Sequence, residues 1–117
     1  MLPMPERIVL AAGATDLRKS IDSLAALVAH TFQLDPFSPT LFVFCNRGRD
    51  KLKMLYWENN GFWLLYRRLE RGTFRWPMST DSPTTLNVHP RQLRWLLDGL
   101  TLEQRQAHPP LRVSAVG

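Results

Sequence analysis

Lys51-Leu52-Lys53-Met54-Leu55-Tyr56-Trp57, then Glu58-Asn59-Asn60-Gly61, then Phe62-Trp63-Leu64-Leu65-Tyr66-Arg67-Arg68-Leu69 is the stretch that decides the fold. Two runs rich in aromatic and aliphatic residues flank a short segment of Asn and Gly. Asn-Gly supplies the positive φ angles that a tight hairpin turn needs. The reading is a β-hairpin with residues 51–57 and 62–69 as its arms. With Asn60-Gly61 as a two-residue loop, Lys53 faces Arg68 and Lys51 faces Glu70. Strand side chains alternate between faces, so Lys51, Lys53, Leu55 and Trp57 share one. That surface is expected to be basic at one end and aromatic at the other.

Upstream, Asn46 to Asp50 is a charged loop, and Leu41 to Phe44 is an apolar strand. Before it, Leu17, Ile21, Leu24 and Val28 recur at helical spacing and make one apolar stripe. Thr15 or Asp16 is the expected cap, with Arg18 and Asp22 one turn apart on the other face. Asp35-Pro36 ends the helix after about Gln33. Ile8 to Leu10 is a short strand ended by Gly13, and residues 1–7 read as an N-terminal arm.

Downstream, Arg71-Gly72 is a second turn and Thr73 to Trp76 a short strand stopped by Pro77. Residues 78–85 form a polar loop. Leu86 to Val88 is a last strand. Pro90 suits the first turn of a helix, Leu93, Leu96, Leu97 and Leu100 give it an apolar face, and Gly99 is its C-terminal signal. Residues 108–117 read as an extended tail. The fold class is α+β. A small antiparallel sheet with a central hairpin is covered on one face by an N-terminal and a C-terminal helix.

The 117 residues fit a single domain, and a 44% hydrophobic content is ordinary for a folded one. A lone cysteine, Cys45, excludes an intramolecular disulfide and suits a reducing, cytoplasmic setting. No apolar run approaches the roughly 20 residues of a membrane helix.

The net charge is +5, and it is segregated. Residues 46–76 hold eight basic residues, Arg47, Arg49, Lys51, Lys53, Arg67, Arg68, Arg71 and Arg75, against three acidic ones, Asp50, Glu58 and Glu70. The rest of the chain carries seven of each sign. These eight are the candidate nucleic-acid-binding residues, because Arg and Lys neutralise phosphates and release counterions. The competing reading is a solvated outer face whose cations protect an edge strand from aggregation. Trp57, Phe62, Trp63, Tyr66 and Trp76 read as packing residues rather than base-stacking platforms.

Catalytic chemistry has no signature here. His30, His89 and His108 lie on separate elements, and neither zinc-ligand spacing nor a phosphate-binding loop occurs. Cys45 ends an apolar strand and reads as an inert thiol. Asp16 reads as a cap, Asp22 as an ion-pair partner, Asp35 as a turn residue and Asp50 as paired to Arg49 or Lys51, so they do not assemble a metal-dependent nuclease. Gly13-Ala14-Thr15 could hold one anion at a helix N-terminus or be a plain turn and cap. No catalytic residue, metal or cofactor is assigned.

Three blocks in order carry a resemblance. The first is Thr15-Asp16-Leu17-Arg18-Lys19-Ser20-Ile21-Asp22 with Leu24-Ala25-Ala26-Leu27-Val28. The second is Leu41-Phe42-Val43-Phe44-Cys45-Asn46-Arg47 with Asp50-Lys51-Leu52-Lys53-Met54-Leu55-Tyr56-Trp57. The third is Gly61-Phe62, Tyr66 to Gly72, and Phe74-Arg75-Trp76-Pro77. Together they resemble the TnpB accessory proteins, encoded by the second open reading frame of the bacterial insertion-sequence family numbered sixty-six. The resemblance is dense over residues 8–77 and looser over the C-terminal helix. It implies a non-catalytic role in DNA transposition beside a separate transposase and other element-encoded proteins, and it supplies no catalytic residues. The segregated charge leads to one expectation, a factor that grips DNA, such as element ends, through the basic hairpin region; the aromatic-rich hairpin leads to the other, a module that binds the transposase without touching DNA.

Overall fold

A computed structural model of the chain describes residues 5–78 and 84–104. Five strands form one sheet: β1 (Arg7–Ala11), β2 (Thr40–Cys45), β3 (Lys51–Glu58), β4 (Gly61–Arg68) and β5 (Thr85–Val88). The helices are α1 (Ile21–Ala26), prolonged by a π-helical turn (Leu27–Thr31), and α2 (Pro90–Leu97). The strand order is β4-β3-β2-β1-β5. The class is α+β, but the sheet is mixed rather than antiparallel. β1 and β2 run parallel, while the β1–β5, β2–β3 and β3–β4 pairs are antiparallel. The physical reason is connectivity. Parallel neighbours need a long crossover, and the segment holding α1 supplies it between β1 and β2.

The core divides in two, and this overturns the expectation of both helices on one face. Ile8, Leu10, Leu41, Val43, Cys45, Leu52 and Tyr56 cluster with Leu93 and Leu96 of α2 and with Phe74 and Trp76. Val9, Ala11, Phe42, Phe44 and Leu55 cluster with Leu24 and Val28 of α1. The two sets alternate along each strand, so they belong to opposite faces. All six residues of β2 are buried. A strand covered on both sides carries an unbroken apolar run, and Leu41 to Cys45 is one.

α1 starts later than its apolar stripe suggests. Asp16 Oδ1 accepts the Arg18 backbone N–H at 3.0 Å, closing a local turn that competes with helix geometry. The N-terminal boundary residue is Ser20, whose side chain makes no cap bond. Leu17 instead packs against the α1-face cluster from outside the helix. Arg18 pairs with Asp16 rather than Asp22. The Gly13 and Thr15 N–H groups donate to Pro77 and Cys45 carbonyls, which removes the anion site considered for that segment.

Thr73 to Trp76 forms no strand. It anchors by burial of Phe74 and Trp76, with the Trp76 Nε1–H donating to the Ala11 carbonyl at 3.0 Å. α2 begins at Pro90, as expected. His89 Nδ1 accepts the Arg91 N–H, and Gln92 Oε1 accepts the His89 N–H. Gly99, at φ +82°, closes it, with Gly99 N–H to Leu96 O and Leu100 N–H to Trp95 O. The tail at residues 108–117, most of the arm and His108 lie outside the described residues.

Candidate nucleic-acid interface

The hairpin turn fixes the site's register. Asn59 and Asn60 both adopt positive φ, 47° and 72°, and form the two-residue loop themselves. Gly61 therefore pairs with Glu58 as the first residue of β4. This shifts the expected register by two residues. Lys51 faces Arg68 and Lys53 faces Tyr66, rather than Glu70 and Arg68. The parity is unchanged, so Lys51, Lys53, Leu55 and Trp57 still share a face, with Phe62, Leu64, Tyr66 and Arg68 opposite them. It is the α1 face, since Leu55, Phe62 and Leu64 pack with α1.

That surface has the two expected ends. At the turn, Trp57, Phe62 and Phe37 touch edge-to-face or tilted, with ring centroids 4.9–5.5 Å apart. At the other end Lys51, Lys53 and Tyr66 line a groove with Asp16, Leu17, Arg18 and Asn46, of about 560 Å³. A second hollow of about 440 Å³ adjoins it, sharing Asp16, Leu17, Arg18 and Asn46 and adding Arg47 and Gly48. Lys53 Nζ is held in place by donating to the Lys19 carbonyl at 2.8 Å.

Among the described residues, Asp16 is the one carboxylate lining either hollow, and it is occupied. Its oxygens accept from the Arg18 guanidinium at 2.8–3.2 Å. Those bonds, with the Arg18 backbone N–H and the nearby Lys19 charge, lower its pKa to about 2. The Arg18 pKa is raised in return, chiefly by its hydrogen bonds to Asp16. Asp50 lines neither hollow. Asn46 donates to it at 2.7 Å, and Lys51 Nζ is 3.9 Å away. The Asn46 bond is the main reason its pKa is lowered, aided by Lys51 and Arg68. Asn46 Oδ1 also accepts the Asp50 and Lys51 N–H groups, which locks the loop that presents Arg47.

The eight basic residues do not form one patch. Lys51, Lys53 and Arg68 share the α1 face, and Arg47 lines the adjoining hollow. Arg67 points to the other face, its Cζ 5.9 Å from the Phe74 ring centroid and its Nη1 3.3 Å from the Leu97 carbonyl. Arg75 lines a separate hollow with Pro77, Thr101, Leu102 and Glu103. Arg49 and Arg71 are exposed on loops. Sequence reasoning missed Arg18 and Asn46 as groove residues, because Arg18 lies outside the basic segment and Asn46 carries no charge. It also assigned Tyr66 and Trp63 to packing. Tyr66 is 55% exposed and Trp63 47%, whereas Trp76 is buried.

Other chemistry is sparse among the described residues. Cys45 is buried, and burial pushes its thiol up to about 12. Among the described residues, no group of three His, Cys, Asp or Glu side chains is placed to hold a metal. No described helix is long and apolar enough to cross a membrane.

The profile of the family described as "IS66 Orf2 like protein" matches residues 6–107. The chain belongs to that family. This IS66 Orf2-like protein is also similar to two proteins of Sinorhizobium fredii. It is 36% identical to y4hO over 86% of this chain and 87% of the other. It is 31% identical to y4jC over 94% of this chain and 92% of the other. No solved structure matches it.

Proposed function

We propose that this IS66 Orf2-like protein is a non-catalytic accessory factor of transposition that holds DNA through the groove lined by Lys51 and Lys53, on the sheet face that Arg68, itself paired with Glu70, shares. Family membership supports the transposition role. The observation that carries the DNA reading is the composition of the groove. Among the described residues, Arg18, Arg47, Lys51 and Lys53 line the two joined hollows against one carboxylate, Asp16, which is paired with Arg18. Phosphates entering there displace counterions, so affinity falls steeply with salt. The test is fluorescence anisotropy on a terminal-repeat duplex and a scrambled duplex across a salt series. Replacing Lys51, Lys53 and Arg68 together by Ala is expected to weaken binding and flatten the salt slope by up to about three counterions. Unchanged affinity in the folded triple variant contradicts the proposal.

A second reading has its own observation. Trp63 and Leu65, 47% and 40% exposed, sit on the other face of edge strand β4. Exposed aromatic and aliphatic residues beside Arg67 are what protein interfaces enrich. In this reading the protein docks on the transposase. Co-purification of the two proteins that survives nuclease treatment, and is lost in Trp63→Ser, is the outcome it requires.

A further inference from the structure

We infer that the α1-face groove takes an unpaired DNA strand, with Tyr66 as the ring on which a base stacks. This rests on the DNA reading above and narrows it to one form of the polymer.

Tyr66 is the observation that duplex binding leaves unexplained. It belongs to the groove lining, yet more than half of it is open to solvent. Its cross-strand partner is Lys53, and Arg68 follows two residues later on the same face. An open ring flanked by cations is the arrangement that single-strand binders use, because an unpaired base offers its π-face while its phosphates meet the charges. In a duplex the base faces are hidden in the stack, and Lys and Arg alone would serve. The groove's scale agrees. About 560 Å³ falls within the roughly 300–1,000 Å³ of sites that enclose one small molecule, which suits a nucleotide or two. Leu17 adds an apolar wall beside the ring. Lys53 is already fixed on the Lys19 carbonyl, and Asn46 ties down the loop behind Lys51, so little ordering remains on binding.

The test uses the full chain and a fluorescent thymidine oligonucleotide, its duplex with adenosine, and the matching uridine oligonucleotide, all at low salt. The thymidine strand is expected to bind more tightly than the duplex. Tyr66→Leu, which keeps bulk but loses the ring, is expected to weaken single-strand binding on the order of tenfold, with Tyr66→Phe close to the parent. Duplex affinity is expected to be the same in all three. Tyr66 is exposed on an edge strand, and matching thermal unfolding verifies that both variants fold. Duplex binding as tight as the single strand, or Tyr66→Leu with full single-strand affinity, overturns the inference while leaving the DNA reading intact. Binding of uridine but not thymidine also overturns it. Failure to bind any of the three removes both.

Discussion

Two side chains carry the sharpest consequences at the residue scale. Asp16 pairs with Arg18 in the groove lining, and its pKa lies below the ordinary 3.8 at about 2. A carboxylate whose folded pKa is depressed contributes stability above the unfolded value, and loses it as pH falls through the folded one. Carbon-detected NMR titration is therefore expected to place the Asp16 midpoint near 2, well under that of an unpaired aspartate. The pair is exposed, so added salt weakens its effect. Asp16→Asn removes the one groove carboxylate and frees Arg18. The expected outcome is tighter DNA binding with a steeper salt dependence, read by anisotropy. Cys45 is the second case. With the thiol pushed up to about 12 by burial, alkylation by iodoacetamide at mildly alkaline pH is expected only after denaturation, as followed by mass. The buried thiol was legible from an apolar strand end. The Asp16–Arg18 turn was not, because Asp before an apolar stripe reads equally well as a helix cap.

The elements show where local rules ruled and where they were overridden. The hairpin was legible in both arms, but its register depended on which two residues turn. Gly61 drew the loop toward Asn60-Gly61, and the chain uses Asn59-Asn60 instead. Asn tolerates the left-handed region less well than Gly does. Asn60→Gly is accordingly expected to stabilise the hairpin by about 0.5 kcal/mol, and Asn60→Val to destabilise it by about 1–2 kcal/mol, by chemical denaturation. α2 followed its signals at both ends, Pro90 at the start and Gly99 at the close. Gly99 sits at φ +82° with open space where a Cβ would lie, so Gly99→Ala carries only the backbone strain. Its expected cost is about 1 kcal/mol.

At the scale of the whole molecule, the sheet is a shared wall between two apolar clusters. Sequence order, strand, helix, strand, already contained the parallel β1–β2 pair, and the unbroken run Leu41 to Cys45 already marked a strand covered on both sides. The hairpin drew attention to antiparallel pairing and hid both. Because β1, β2 and β3 feed each cluster, the two cores are expected to melt together. Leu24→Ala on the α1 side and Leu96→Ala on the α2 side are each expected to cost about 2–5 kcal/mol and to keep a single cooperative transition in calorimetry. The charge was equally legible only in part. The basic segment was plain in the sequence, but the sheet distributes it, sending Arg67 to Phe74 and Arg75 to a separate hollow. Tertiary folding also brings in Arg18 from a segment that is neutral by count.

Under the proposed function, position and not total charge decides whether DNA binds. The most direct measurement compares two charge-matched triple variants by anisotropy with the same DNA and salt. One replaces Lys51, Lys53 and Arg68 with Ala, and the other replaces Arg71, Arg75 and Arg91. A large loss of affinity is expected in the first and near-parent binding in the second. Equal losses in the two would contradict the proposal and reduce the basic segment to a diffuse, unspecialised charge.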